Sequence, residues 1–168
     1  MTLIKSISGI RGTIGGFPGN NLTPLDVVKY ASAYGMWLKS KSNDKIKVVV
    51  GRDARISGLL VQNIVGSTLQ SLGIDVIDLG LSTTPTIEIA VPMEKASGGI
   101  ILTASHNPKQ WNALKLLNEK GEFVSANDGD EILRIAEEEN FEYAHIDDLG
   151  LVEKKDYLQK HILSLIHI

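Results

Sequence analysis

The feature that most restricts the fold is an alternation, along the 168-residue chain, between short apolar runs and segments with helical hydrophobic periodicity. Short apolar runs at 46–50, 74–79 and 99–102 are typical of buried strands. Between them, apolar residues recur every three or four positions, which indicates helices with one buried face. Short connections between such units favour a mostly parallel, mixed sheet with helices on both faces. We therefore predict a single α/β domain with three α/β/α layers.

Capping and turn residues predict where the elements begin and end. The predicted helices begin at or just after capping residues, and they cover 24–38, 57–72, 84–93 and 127–139. The predicted strands are apolar or alternating runs, and they cover 3–8, 46–50, 74–79, 99–102 and 113–117. Glycines from Gly9 to Gly16 predict a flexible loop after the first strand.

Composition limits the class of protein. The chain is 43% hydrophobic and 22% charged, as in ordinary soluble domains. A net charge of −3 offers no basic surface for nucleic acid or anionic membranes, and no apolar run approaches the roughly 20 residues of a membrane-spanning helix. The absence of cysteine excludes disulfides and thiolate metal sites. We expect a cytoplasmic protein without nucleic-acid or membrane partners.

The C-terminal stretch from Lys154 to the end favours an amphipathic helix with no closing cap. We therefore expect the natural protein to be longer. Residues 1–150 are predicted to form the main domain, and 151–168 a C-terminal helix or the start of an interdomain connection. Apolar surface that further domains would cover is expected to promote self-association of the isolated chain.

A serine follows the strand at 99–102, within the sequence Thr-Ala-Ser-His-Asn-Pro at 103–108. Ligands of α/β sheets bind beyond the carboxyl ends of strands, which also directs attention to the loops after Ser8 and Val50. The Asn-Pro pair favours a turn that presents Ser105 to a bound anion. A serine hydroxyl needs a base, a charge partner or a metal to react, and His106 and Lys115 are local candidates. The Gly-x-Ser-x-Gly elbow is missing, which argues against an esterase.

Each candidate also has a structural interpretation. Adjacent serine and histidine are common in loops, and neighbouring side chains of extended backbone point apart, so His106 is badly placed to deprotonate Ser105 directly. Lys115 interrupts an apolar strand. It could protect a sheet edge from aggregation, or it could be a partly desolvated amine suited to proton transfer. The residues alone leave both interpretations of Lys115 open.

Several motifs occur in a fixed order along the chain. They are Ser-Gly-Ile-Arg-Gly at 8–12, Gly-Arg-Asp-Ala-Arg-Ile-Ser-Gly at 51–58, the hexapeptide at 103–108, and Trp-Asn-Ala-Leu-Lys at 111–115. Together they resemble the alpha-D-phosphohexomutase family of phosphoglucomutases, phosphomannomutases and phosphoglucosamine mutases. The hexapeptide is highly specific, the Gly-Arg-Asp segment moderately so, and Ile-Arg-Gly alone would be weak. The resemblance covers residues 4 to about 117 and implies the first of four domains.

The resemblance implies a phosphoryl relay through Ser105, which matches the serine that is phosphorylated in the active enzyme. Its phosphoryl group would pass to a hexose 1-phosphate, and the resulting hexose 1,6-bisphosphate would return its other phosphate. Lys115 matches a proposed general acid/base, Arg11 an arginine near the phosphoserine, and His106 a histidine that contacts substrate or assists proton transfer. Cationic side chains suit this chemistry, since phosphoryl transfer depends mainly on positioning and charge neutralisation.

The resemblance also implies Mg²⁺ bound to the phosphate on Ser105. The remaining ligands are expected in a second domain, in a loop with the sequence Asp-Gly-Asp-Gly-Asp-Arg. The chain has only Asn-Asp-Gly-Asp-Glu at 127–131, which we interpret as the acidic start of a helix. The sugar-selecting and phosphate-binding segments of the family are missing too. Ala113 replaces a glycine of the family, which restricts the backbone beside Lys115.

Arg52 and Arg55 form a second group of cations, in the loop after the strand at 46–50. The resemblance implies that this segment is mainly architectural, although guanidinium also suits phosphate. The chain is thus predicted to be the first domain of a phosphohexomutase, inactive alone and dependent on the missing domains of the same chain. The alternative is a stand-alone, non-catalytic module that binds phosphosugars or a protein.

Overall fold

The computed structural model describes residues 1–6, 9–42 and 44–166. Within them the chain forms seven strands and five helices. The strands are β1 Ile4–Ser6, β2 Gly9–Thr13, β3 Lys47–Arg52, β4 Asp75–Leu81, β5 Gly98–Leu102, β6 Trp111–Leu117 and β7 Val152–Lys154. The helices are α1 Pro24–Lys41, α2 Gly58–Ser71, α3 Thr84–Met93, α4 Ala126–Glu138 and α5 Leu158–Ile166. None of these helices combines the length and the apolar character needed to cross a bilayer.

The described strands form one sheet in the order β1-β2-β6-β5-β3-β4-β7. Strands β5, β3, β4 and β7 pair in parallel, whereas β1, β2, β6 and β5 pair antiparallel. The predicted α/β class and mixed sheet are confirmed. Parallel pairing is confined to one half of the sheet, because β6 follows β5 through a short loop and must return antiparallel beside it.

Two hydrophobic clusters fix the layers. The larger cluster packs α1, α2 and α4 against one face of the sheet, through residues such as Tyr30, Val65 and Ile132. The smaller cluster packs α3 against the other face, with Ile87 and Val91 over β3, β4 and β5. The three predicted layers are therefore present. Among the described residues, this smaller cluster includes Leu117 at the end of β6 but no residue of β2, so most of β6 and β2 lies outside the cover of α3 on this face.

Strand β2 corrects the prediction of a flexible loop after the first strand. Gly9–Thr13 pairs with β1 on one side and β6 on the other, while Ile7 and Ser8 lie outside the described residues. Gly9 has φ +131°, and a β-carbon there would lie 2.1 Å from the carbonyl oxygen of Leu114. The glycine is therefore needed for close approach of two strands, a role that sequence composition does not distinguish from flexibility.

The C-terminal stretch also departs from the prediction. Residues 152–154 form β7, which extends the parallel half of the sheet beside β4, and the helix begins only at Leu158. All of β7 is exposed, so it lacks the apolar run by which a buried strand is recognised.

The predicted starts of α2 and α4 have different outcomes. Ser57 precedes α2 but makes no side-chain capping bond; its hydroxyl accepts a hydrogen bond from Asn112 at 3.0 Å instead. The acidic helix start at 127–131 is confirmed. Ser125 caps α4 by accepting from the N–H of Asp128 at 3.2 Å.

The segment before α5 is attached to α3 by polar contacts. Glu94 accepts hydrogen bonds from the Lys155 ammonium at 2.7 Å and from the Tyr157 hydroxyl. His161 Nδ1 lies 2.7 Å from the hydroxyl oxygen of Thr86. Burial alone would raise the pKa of Glu94, but the bonds from Lys155 and Tyr157 outweigh it and bring this pKa below its ordinary value of 4.5.

This attachment should weaken in acid. Because the pKa of Glu94 is lowered in the folded state, its stabilisation is present above about pH 4.5 and is lost as the pH falls through the lower folded value. We expect amide exchange of residues 155–166, corrected for intrinsic rates, to accelerate relative to β5 between about pH 6 and about pH 3.

In Glu94→Gln, the amides of residues 155–166 should already exchange faster at the higher pH, and acid should accelerate their exchange little further. Glu88→Gln, on α3, is the matched control, and its amide exchange should follow that of the unsubstituted chain. An identical pH response in Glu94→Gln and the unsubstituted protein would contradict this role of Glu94.

Gly98 provides a test of the packing between α1 and the sheet. An added β-carbon would lie 2.1 Å from the hydroxyl oxygen of Tyr34, which donates to the carbonyl of Leu117 at 2.7 Å. We expect Gly98→Ala to lower the free energy of unfolding by about 2–3 kcal/mol in a urea titration. Gly66→Ala in α2, where the new atom meets nothing within 4 Å, should instead stabilise by about 0.5–1 kcal/mol. Equal stability of the two variants would refute this packing argument.

Candidate functional site

The loop after β5 holds Ser105 in an uncommon backbone conformation. Ser105 has φ +53°, in the left-handed region, and its side chain is exposed. Its N–H donates to the Thr103 hydroxyl at 3.1 Å, and the N–H of Asn107 donates to the carbonyl of Ala104 at 3.0 Å. Such a conformation costs on the order of 1–3 kcal/mol in a residue with a β-carbon, so the surrounding contacts must maintain it.

The prediction for His106 assumed extended backbone, whereas Ser105 is in the left-handed region. His106 Nδ1 lies 3.5 Å from Ser105 Oγ. This separation exceeds that of a strong hydrogen bond, so the imidazole is near the hydroxyl without a close contact to it.

All four predicted catalytic residues line one cavity of about 400 Å³. Ser105 and His106 come from the loop after β5, Arg11 from β2 and Lys115 from β6. Arg11 lies opposite Ala113 in the β2–β6 pair, and side chains two positions apart on a strand share a face. Arg11 and Lys115 therefore project from the part of the sheet that α3 leaves uncovered.

Lys115 is half-buried and belongs to an interior strand. Since β6 lies between β2 and β5, the interpretation of Lys115 as protection for a sheet edge is wrong. Its ammonium lies 5.8 Å from the ring centroid of Phe123, within the range of a cation–π contact. The amine thus has a cavity on one side and an aromatic ring beside it.

The two arginines of the 51–58 segment lie outside this cavity. Arg55 donates to backbone carbonyls within 105–111, so the expected architectural role is confirmed for this residue. Arg52 donates to the carbonyl of Asp53 at 3.2 Å, and its buried Nε has no hydrogen-bond partner among the described residues. Sequence reasoning missed Asp53 and Thr103, whose side chains meet at 2.6 Å. The Gly-Arg-Asp motif was the available signal, but only the fold brings it beside Thr103.

The described residues do not fit a magnesium site by themselves. Nowhere in 1–6, 9–42 or 44–166 do three or more His, Asp or Glu side chains stand close enough to hold a metal ion. In the 127–131 segment, Asp128 bonds to Ser125 and pairs with Lys41 at 3.2 Å, which holds it at the start of α4. Octahedral oxygen coordination would therefore need ligands beyond these residues.

Comparison with known proteins identifies relatives of this domain. Residues 3–143 match the family model described as phosphoglucomutase/phosphomannomutase, alpha/beta/alpha domain I. A phosphoglucomutase/phosphomannomutase of Thermococcus kodakarensis is 35% identical over 156 residues, which are 92% of this chain and 34% of that protein. The phosphoglucosamine mutase of Bdellovibrio bacteriovorus is 35% identical over 143 residues, 83% of this chain and 31% of that protein.

The fold comparison agrees with the sequence comparison. A solved Thermus thermophilus structure, assigned as a phosphomannomutase, superimposes with a TM-score of 0.83 at 27% identity. The match covers 99% of this chain and 36% of the other. The chain thus spans about a third of the length of the relatives it matches. The resemblance based on the sequence motifs is confirmed.

The cavity should bind a small anion through its cations. We expect inorganic phosphate, titrated into the protein, to shift the amide resonances of 104–107. Lys115→Met should weaken this binding about tenfold, because it removes one charge-assisted hydrogen bond. Lys120→Met, in the exposed turn after β6, is the control and should bind as the unsubstituted protein does. Equal affinity in Lys115→Met would exclude the amine from the anion site.

Proposed function

Because the chain belongs to the phosphoglucomutase/phosphomannomutase family, as its first α/β/α domain, we propose that Ser105 is the phosphoryl carrier of a phosphohexomutase. The observation that carries this proposal is the shared cavity of Ser105, Arg11, Lys115 and His106. An exposed hydroxyl that shares a cavity with an arginine and a lysine is suited to hold a phosphate. The hexapeptide at 103–108 supplies the match to the family.

In the proposed reaction, the phosphoryl group leaves Ser105 for the free hydroxyl of a hexose 1-phosphate. The bond between phosphorus and Ser105 Oγ breaks as the bond to the sugar oxygen forms. The sugar hydroxyl loses its proton, and Ser105 Oγ gains one. The resulting hexose 1,6-bisphosphate then returns its other phosphate to Ser105, and a hexose 6-phosphate is released.

Each cavity residue has a proposed role in that transfer. Arg11 offsets charge on the phosphoryl oxygens, since guanidinium bonds well to phosphate. Lys115 exchanges the proton with the sugar hydroxyl as general acid or base. His106, on the rim beside Ser105, contacts the substrate or assists the proton transfer. These roles rely on positioning and charge, which dominate phosphoryl transfer.

The chain corresponds to about a third of its relatives, so we propose that other domains complete the site. These would supply the ligands of Mg²⁺, which offsets charge on the phosphate when bound, and the groups that select the sugar. Residues 151–168 would begin the connection to them. The isolated domain would accordingly show no turnover, and the complete enzyme would work in the cytoplasm.

The decisive experiment locates the phosphate. The complete mutase that contains this domain is incubated with a hexose 1,6-bisphosphate and analysed by phosphopeptide mass spectrometry. We expect phosphate on Ser105, none at that peptide in Ser105→Ala, and loss of turnover in the variant. Lys115→Met should retain the phosphate but lower kcat by about 10²–10⁴-fold.

Ser67→Ala, which removes an exposed serine from α2, is the control and should behave as the unsubstituted enzyme. Phosphate found only at other residues would refute the assignment. Binding of hexose phosphate without any phosphate on Ser105 would support the non-catalytic module instead.

A further inference from the structure

One guanidinium donates hydrogen bonds to four backbone carbonyls between Ser105 and Trp111. The two terminal nitrogens of Arg55 divide four carbonyl oxygens between them. Nη2 donates to the carbonyls of Ser105 at 2.7 Å and Asn107 at 2.9 Å. Nη1 donates to those of Pro108 at 2.9 Å and Trp111 at 3.1 Å. The loop between β5 and β6 is therefore folded around a side chain that comes from the loop after β3.

These bonds use the full donor capacity of the side chain. A guanidinium has five N–H donors, and the fifth, on Nε, reaches a carboxylate oxygen of Asp53 at 3.2 Å. The Arg55 side chain is only 12% exposed and does not line the cavity of Ser105. No donor remains for a phosphate. Arg55 therefore acts on the loop and not on a ligand.

Hydrogen bonds fix the backbone of Ser105 at both its N–H and its carbonyl. The carbonyl of Ser105 accepts from Arg55, and the N–H of Ser105 donates to the Thr103 hydroxyl at 3.1 Å. That hydroxyl donates in turn to Asp53 at 2.6 Å, and Asp53 also accepts from the backbone N–H of Arg55 at 3.0 Å. Fixing the N–H and the carbonyl of one residue fixes its backbone angles, here the left-handed φ of +53°.

We propose that Arg55 is a positioning residue which, through Asp53 and Thr103, holds Ser105 in the left-handed conformation that turns its hydroxyl into the cavity. This inference rests on the proposed function of Ser105 as phosphoryl carrier. Lysine cannot replace Arg55, because its three donors share one nitrogen and cannot span four carbonyls and a carboxylate.

The first test measures the loop itself by amide exchange in the 168-residue chain. The N–H groups of Ser105, Asn107 and Trp111 are all hydrogen-bonded within the loop. In Arg55→Ala and Arg55→Lys, these amides should exchange at least about tenfold faster, while those of β5 remain unchanged. Arg134→Ala is the matched control, because it removes an arginine that is 60% exposed and pairs with Glu138 on α4.

The second test measures the transfer in the complete mutase. Arg55→Ala should lower the kcat of phosphoryl transfer by about 10²-fold, the effect of a small misplacement of a reacting group. The KM for hexose phosphate should change little, because Arg55 touches no substrate. Millimolar guanidinium should restore part of the rate to Arg55→Ala and none to Arg55→Lys, in which the site is filled. Unaltered exchange and kcat in both variants would overturn the proposal.

A milder substitution tests the same loop if the Arg55 variants fail to fold. Thr103→Val keeps the shape of the side chain but removes the acceptor of the Ser105 N–H. Amide exchange should therefore accelerate strongly at Ser105 and more weakly at Trp111. Uniform acceleration over β5 and the loop would show general destabilisation and overturn the proposal. If the unsubstituted mutase never gained phosphate on Ser105, the proposed function would be refuted. The amide-exchange data would still decide whether Arg55 holds the loop.

Discussion

The site depends on the incomplete cover of one face of the sheet. Helix α3 packs over β3, β4 and β5, and of the described residues of β6 the cluster under α3 includes Leu117 alone. A sheet face without a helix must be polar or be covered by something else, because exposed apolar strands associate. On this face, β2 and β6 carry Arg11 and Lys115 in place of the apolar residues found under α3. The part of this face that α3 leaves uncovered therefore carries both cations.

The antiparallel return of β6 determines what those cations meet. Because β6 runs back antiparallel beside β5, the loop between them lies at the end of the sheet where β5 ends and β6 begins. Ser105 in this loop and Lys115 in the strand then line a common cavity, and β2 adds Arg11 from the opposite side. Phosphoryl transfer requires little covalent participation by a protein but accurate placement of charge. A rigid sheet would suit the proposed transfer, and the loop between β5 and β6 has separate support from Arg55 and Asp53.

Much of the fold could be predicted from local patterns, and the misses have physical causes. Helices α1 and α3 begin where Thr-Pro signals place them, since capping is a local interaction. Strand β2 was mistaken for a flexible loop, because Gly9 is required by a close approach to β6 that no local pattern reveals. Strand β7 was missed because its exposed residues pair with β4 through the backbone alone.

The sequence by itself determined the family, the α/β class and the residues proposed to carry the chemistry, because motifs and hydrophobic periods lie in consecutive positions. Only the tertiary structure decided how those residues are used. It placed Lys115 in the interior of the sheet, brought His106 within 3.5 Å of Ser105, and committed the donors of Arg55 to carbonyls within 105–111 and to Asp53. These outcomes depend on strand order and on the backbone angle of one serine, which arise from contacts between residues some 50 positions apart.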